Sequence, residues 1–392
     1  MEIDALIADL HPQLTALRRD LHAQPELGFA ETRTAEIVAR RLEAMGMEVH
    51  TGLARTGVVG RLKLGNSGRS IGLRADMDAL PMSECNTFDH RSRHEGRMHA
   101  CGHDGHVALL LGAAEILAKV GNFDGTVHFV FQPAEETDGG GRLMVEEGLF
   151  ERFPMDMVFA LHNWPGLPVG QFGLREGAVM AGADRFEISI QGRGAHAAMP
   201  HQGRDVMVAG AALIQGFQTL VSRDTSPTDA AVVSVTRFNA GNSNNVLPDK
   251  AILGGTVRMF KPELREALRT GMARICNGIE EAYAVEISLD YQTGYPPTVN
   301  SLVPLQMARI AARSLVGDAN VHEQLDPSMG TEDFAYLANA VPGCYGWIGN
   351  GSTEGGCVVH NPHYDFNDKT IPLGVGYWVK LTQHVLAPGE RQ

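Results

Sequence analysis

The chain has 392 residues, 44% of them hydrophobic and 20% charged, which is ordinary for a globular protein with enough apolar material to build its core without disulfide or metal staples. Lys and Arg number 33 against 46 Asp and Glu, a formal charge of −13, so nucleic acid and anionic membrane surfaces are excluded as expected partners because both demand a basic face. Sixteen histidines beside three tryptophans and seven tyrosines are out of proportion, and they raise the question of a shared site.

The opening MEIDALIADL lacks a basic stretch followed by an apolar one, so no secretory signal is expected. The longest apolar run, Val107 to Leu117, carries Gly112 and Glu115 and falls short of the roughly 18 residues a membrane span needs. Cys85, Cys101, Cys276, Cys344 and Cys357 are odd in number and scattered, which points to reduced thiols and a cytoplasmic chain.

In chain order, residues 12–23 and 31–45 have helical spacing, with Gly46 placed to end the second helix. Strand-like runs follow at 57–64 and 70–75. Then come a helix over about 105–119, a strand at 126–131, a helix at 140–148 and a strand at 157–161. This rhythm predicts βαβ units and a largely parallel sheet. Near residue 184 the rhythm changes. A strand at 186–192 leads to a helix over roughly 204–222, strands at 230–238 and 250–259, a long helix at 262–283 and a strand at 285–292. That β-α-β-β-α-β order is the ferredoxin-like plan. Afterwards α/β character returns, with helices at 302–316 and 331–339, a strand at 343–349 and a helix at 371–386. The expected architecture is an α/β domain formed by residues 1–183 and 294–392, with a second domain, 184–293, inserted into it.

The densest chemical cluster is His99-Ala-Cys101-Gly-His103-Asp-Gly-His106, between a strand and an apolar helix. Neutral imidazole, thiolate and carboxylate are the side chains that ligate metals. A polar loop capping the helix is the plain alternative, and a nucleophilic Cys101 is the competing chemical one. Glu135 and Glu136 follow the strand TVHFVF, where one carboxylate can bind metal and the other act as a base, or both can simply face solvent at a helix start. His162 follows another apolar strand, and His360 lies in the loop HNPHYDF. Singly these are weak signals. Together Cys101, His103, Glu136, His162 and His360 make five ligands, too many for one tetrahedral ion and suited to two adjacent ones. Asp78, in LRADMD after a strand, is expected to orient a ligand from behind. In the inserted domain His196 sits between Gly194 and Pro200, where it could donate to a developing oxyanion or merely face solvent. Asn245 and Arg258 are candidates for a substrate carboxylate, although Arg258 could equally make a structural ion pair.

With these residues in view, the chain resembles the M20 metallopeptidase family. Within it, the likeness is to the amidohydrolase branch that includes hippurate hydrolase, N-acyl-amino-acid amidohydrolases and the plant indole-acetyl-amino-acid hydrolases. The matching stretches include RRDLHAQPELGF (18–29), LRADMDALPM (73–82), HACGHDGHVALLLGAA (99–114), FQPAEE (131–136), ALHNWPGLPVG (160–170), GRGAHAAMPH (192–201), NVLPDKAILGGTVR (245–258), MGTEDFAY (329–336) and HNPHYDF (360–366). They span nearly the whole chain in family order.

The resemblance implies a two-domain, mixed-sheet α/β metallopeptidase-like catalytic domain with an inserted ferredoxin-like α+β lid that mediates dimerisation. It places metal contacts on Cys101, His103, Glu136, His162 and His360, the general base on Glu135, and oxyanion contact on His196, in its own or a partner subunit's site. The implied cofactor is a pair of divalent ions, zinc or manganese, with cobalt or nickel also compatible with a thiolate ligand. The implied reaction is hydrolysis of the amide of an N-acyl amino acid, such as a hippurate-like, acetyl- or indole-acetyl-amino acid. A dipeptidase or aminopeptidase of the same architecture is the alternative.

Overall fold

The computed structural model describes residues 3–137 and 139–388, and the chain divides into two compact units. The first takes in Met1–Val179, Val299–Asp326 and Asp333–Gln392, and the second Met180–Thr298 and Pro327–Glu332. Sequence patterning does not announce that Pro327–Glu332 joins the second unit. A backbone seam explains it: Ala181 N donates to the carbonyls of Ser328 (3.0 Å) and Gly330 (2.9 Å), and Arg258 Nη1 donates to Met329 O (2.7 Å).

The first unit is built on an eight-stranded sheet in the order Glu48–Leu53, Gly57–Leu64, Gly125–Gln132, Ser70–Asp76, Met157–Pro165, Gly343–Gly351, Phe172–Gly173, Val321–His322. The four strands from Gly125–Gln132 to Gly343–Gly351 run parallel, whereas the hairpin 48–64 joins them antiparallel. The sheet is therefore mixed, with a parallel centre. Ser70–Asp76 and Gly125–Gln132 are buried along their whole length, as the near-continuous apolar runs of a covered parallel sheet require. The edge strand Glu48–Leu53 reads EVHTGL, and its mixed polarity hides it from a search for apolar alternation.

Helices Ile3–Ala23, His103–Val120 and Ile371–Val385 pack on one another beside this sheet. The first begins nine residues before the sequence pattern suggests, because Pro12 reads as a helix start. An interior proline costs about 3 kcal/mol. Burial of Ile7, Leu10, Leu14, Leu17 and Leu21, one stripe at helical spacing, outweighs it. Helix His103–Val120 is apolar all round from Val107 to Ala114 because that stretch is fully buried. The helix expected at 140–148 is split into Gly140–Glu146 and Leu149–Arg152, and the one expected at 331–339 spans Phe334–Ala340.

The second unit is an antiparallel four-stranded sheet in the order Ala231–Ala240, Lys250–Met259, Gly182–Gln191, Glu286–Gln292. With helices Val206–Thr219 and Pro262–Tyr283 it completes the ferredoxin-like plan. Burial alternates along Gly182–Gln191, so Phe186, Ile188 and Ile190 enter a core with Leu213, Phe217, Leu253, Val257 and Met272. Asp205 caps Val206–Thr219 by accepting from Met207 N (2.8 Å) and Val208 N (3.3 Å). No helix among the described residues is long and apolar enough to cross a membrane.

Candidate active site

In an open parallel sheet, ligands collect beyond the carboxyl ends of the strands. There the first unit places Asp76, Gln132 and His162, at or near the ends of three adjacent central strands. The segment Ala100–Gly102 runs into helix His103–Val120, and Gly102 takes φ 92°. Only glycine fits, since a Cβ there would lie 2.3 Å from Tyr364 Oη and 2.4 Å from Asn163 Nδ2. Two of the non-glycine residues with positive φ stand here, Ala134 (φ 52°) and His360 (φ 63°). Both belong to loops that carry candidate ligands, where strain persists only if the surroundings impose it.

Asp78 does much of that imposing. Its two carboxylate oxygens accept the backbone N–H groups of Glu135 and Glu136, each at 3.0 Å. Its Oδ1 also lies 3.3 Å from His103 Nδ1. Glu31, fully buried, accepts from Ala134 N (2.8 Å) and fastens the same loop from its other side. One carboxylate thus fixes the direction of Glu135, Glu136 and the His103 ring.

The candidate ligands converge. Cys101, Glu136 and His360 offer donor atoms within 4.8 Å of one another, and so do His103, Glu135 and Glu136. His360 Nε2 lies 3.1 Å from Glu136 Oε1, and Cys101 Sγ lies 3.4 Å from His162 Nε2. His162 gives its Nδ1 proton to Asn163 O (2.7 Å), so its Nε2 lone pair faces the thiol. A further proximity group joins Asp76, His103, His106 and His162. His106 is already committed on both sides: Nδ1 donates to Asp76 Oδ1 (2.6 Å) and Nε2 accepts from Asn163 N (3.0 Å). It is a core histidine that braces Asp76 and Asn163 rather than a free donor.

The donor set fits metal ions. Both ring nitrogens of His103, and Glu136 Oε1, are buried and make no well-aligned hydrogen bond, having only ion-pair approaches such as Asp78 (3.3 Å) and His360 (3.1 Å). Burial pushes the Cys101 thiol well above its usual range, and the carboxylates of Glu136, Glu135 and Asp76 push it further. Burial alone would lower His103, yet Asp76, Asp78 and Glu136 push it up to about 10. Burial and the nearby His106 hold His162 neutral. This is an anionic shell, and a divalent ion would invert such preferences by stabilising the thiolate and accepting the imidazole lone pairs.

In the second unit, His196 stands on a short bridge, Ala195–His196 paired with Val246–Leu247. Its side chain is exposed and its Nδ1 accepts from Ala198 N (3.1 Å), which leaves the proton of the neutral ring on Nε2. Asn245 is exposed, accepts from Ser243 Oγ (2.8 Å) and holds Ala197 N through its carbonyl (3.0 Å). Arg258 is half-buried on strand Lys250–Met259, with Nη1 given to Met329 O.

Sequence reading passed over Asp76, Asn163 and Asp333. Asp333 accepts from Gln132 Nε2 (2.7 Å), Arg74 Nη2 (3.1 Å) and Gly141 N (2.8 Å), and Arg74 Nη1 donates to Asp76 (2.7 Å). The signal for Asp76 was present: in RADMD it is two residues from Asp78, hence on the same face of an extended segment.

Residues 72–384 match the family described as peptidase family M20/M25/M40. The chain belongs to that family. It is 41% identical over 375 residues to the hippurate hydrolase of Campylobacter jejuni, covering 96% of this chain and 97% of that one. It is 39% identical over 378 residues to the N-acetylcysteine deacetylase of Bacillus subtilis, covering 96% and 97%. Among solved structures it superposes on the YXEP protein of Bacillus subtilis, described as a dinuclear metal-binding peptidase of the M20 family. There the TM-score is 0.84 at 36% identity, with 97% of this chain and 99% of that one covered. As a member of the family, the chain is a hydrolase of amide bonds.

Proposed function

We propose that this M20 hydrolase cleaves the amide bond of N-acyl amino acids, using two divalent cations held by Cys101, His103, Glu136, His162 and His360. The observation that carries the reading is the convergence of thiol, imidazole and carboxylate donor atoms within 4.8 Å of one another, beside a second carboxylate, Glu135, on a loop fixed by Asp78. Hippurate and N-acetylcysteine, for which two relatives are named, differ in both acyl group and amino acid. What they share is an amide beside a free α-carboxylate, and that shared part defines the substrate class.

When bound, the cations supply Lewis acidity, polarising the amide carbonyl and easing the ionisation of water. Glu135 takes the proton of the attacking water and later delivers it to the amide nitrogen as the C–N bond breaks, giving a carboxylic acid and an amino acid. His196 donates Nε2–H to the developing oxyanion, in its own or a partner subunit's site. Arg258, whose fork has donors beyond the one given to Met329, and Asn245 hold the substrate carboxylate. Thiolate, imidazole and carboxylate together suit zinc or manganese, and also cobalt or nickel. We further place the enzyme in the cytoplasm, where its five free cysteines stay reduced, as a homodimer joined through the second unit.

The test combines metal analysis with a panel of benzoyl-, acetyl- and indole-acetyl-amino acids alongside free dipeptides. Two ions per chain, chelator-sensitive turnover and preference for the acylated substrates are expected. Preference for free dipeptides would favour the peptidase reading. Activity indifferent to chelators but lost on alkylation of Cys101 would replace the metal mechanism with a thiol one.

A further inference from the structure

The motif RRDLH puts an arginine where no charge is expected. Arg18 lies on the buried stripe of helix Ile3–Ala23, and its side chain has no exposed surface. Its Nε donates to Asp368 Oδ1 (2.8 Å), its Nη1 to Asp365 Oδ1 (2.8 Å) and its Nη2 to Phe366 O (2.6 Å). Nη1 also lies 3.7 Å from Asp104 Oδ2. One guanidinium therefore grips the segment that follows His360 and touches the residue after His103.

His360 needs such a grip. It has positive φ, and its side chain is 53% exposed, so packing does not hold it. Its own backbone N–H reaches Ala100 O at 2.7 Å. Nearer holds on its loop are neutral, Cys85 N on Pro362 O (2.8 Å) and the buried Tyr364, whose Oη donates to Asn163 Oδ1 (2.5 Å); at residues 365–368 Arg18 adds three charge-assisted bonds in a fixed fork. Asp104, by contrast, has a second holder, His22 Nδ1 at 2.8 Å. Asp365 also lies 3.3 Å from His90, whose pKa burial lowers, while Asp368 is shared with the half-exposed Arg19.

We propose that Arg18 is a positioning residue for the metal centre: it keeps the His360 loop in ligating place, so its loss weakens the ion held by Cys101, Glu136 and His360 more than the ion held by His103 and His162. This rests on the two-ion reading above. It differs from a general fold-stabilising role, which would lower both affinities together.

The experiment loads wild type, Arg18→Met, Arg18→Lys and Asp365→Ala with zinc and measures ions per chain against increasing chelator. Melting of the metal-free proteins reports on the fold. Expected is loss of one ion from Arg18→Met and Asp365→Ala at chelator levels where wild type keeps two. The affinity of that ion should fall by about 10–100-fold, as for other residues that orient ligands, with partial rescue in Arg18→Lys. Folded variants that keep both ions at wild-type affinity, or lose both in parallel, overturn the proposal. If Arg18→Met does not fold, Asp365→Ala decides, because that carboxylate is partly exposed. Fewer than two ions in wild type itself would instead overturn the two-ion reading.

Discussion

Two loops of this molecule look alike in sequence and differ in what their own surroundings provide. HACGHDGH and GRGAHAAMPH are both rich in small residues and both carry histidines, the first running into a helix and the second following a strand. In the first, every polar side chain is buried, and His103 and Cys101 lie among carboxylates and imidazoles that dictate their direction. In the second, His196 is exposed and its ring accepts from the backbone of its own turn. The first loop is preorganised by its own unit, which is what a metal centre needs to select geometry and exclude water. The second is held as a backbone shape, with a donor left free for something outside it. Activity and stability should therefore respond in opposite ways to substitutions in the two places.

The largest effect should come from Glu135→Gln. The backbone anchor to Asp78 is untouched and the isosteric amide cannot accept the proton of water, so kcat should fall by about 10³–10⁴-fold at the upper range for general-base loss. Metal content should stay at the wild-type value. Near-normal turnover in a fully loaded variant would sink the assignment of Glu135 as base.

His196→Ala should lower kcat by about 10²–10³-fold, the range for removing one oxyanion donor. An exposed side chain contributes within about 0.5 kcal/mol to stability, so the melting temperature should hold. A lowered melting temperature with intact kcat would reverse the contrast between the loops. Asp78→Asn should act on the buried side alone. It weakens the acceptor shared by Glu135 N and Glu136 N and removes the charge 3.3 Å from His103 Nδ1, so metal affinity should drop about 10–100-fold by chelator competition. Unchanged affinity would mean that Asp78 serves the fold rather than the ions.

How much of this was legible in the sequence follows the same division. Side chains that carry chemistry gather near strand ends and at one helix start, so Cys101, His103, Glu135, Glu136 and His162 stand out by residue type and spacing. The ferredoxin-like order of the second unit could be read from alternation alone. The groups that hold the site in place could not. Asp333 meets Gln132 and Arg74 across separations of 201 and 259 residues, and Arg18 meets Asp368 across 350. No local pattern encodes such pairs, since they exist only after the sheet has assembled. A buried arginine also mimics a surface one, because helical spacing shows the face it lies on and not the carboxylates that wait there.

The smallest effect is a pH dependence on the buried side. Burial alone would lower the pKa of His22, but Asp104 at 2.8 Å and Glu84 at 3.3 Å outweigh it and push the ring up to about 9. A histidine in the unfolded chain titrates near 6.5. Below that value both states are protonated, and the stabilisation from His22 is complete. As the pH rises from about 6.5 the unfolded chain loses its proton first, so stability falls, and the contribution is gone above about 9. Linkage puts the ceiling of the effect at about 3 kcal/mol. Melting curves of the metal-free protein from pH 6.5 to 9 should therefore slope downward more steeply for wild type than for His22→Gln. Parallel slopes would show that the folded chain does not raise the pKa of His22, so that its ring serves Asp104 as a neutral donor rather than as a charge.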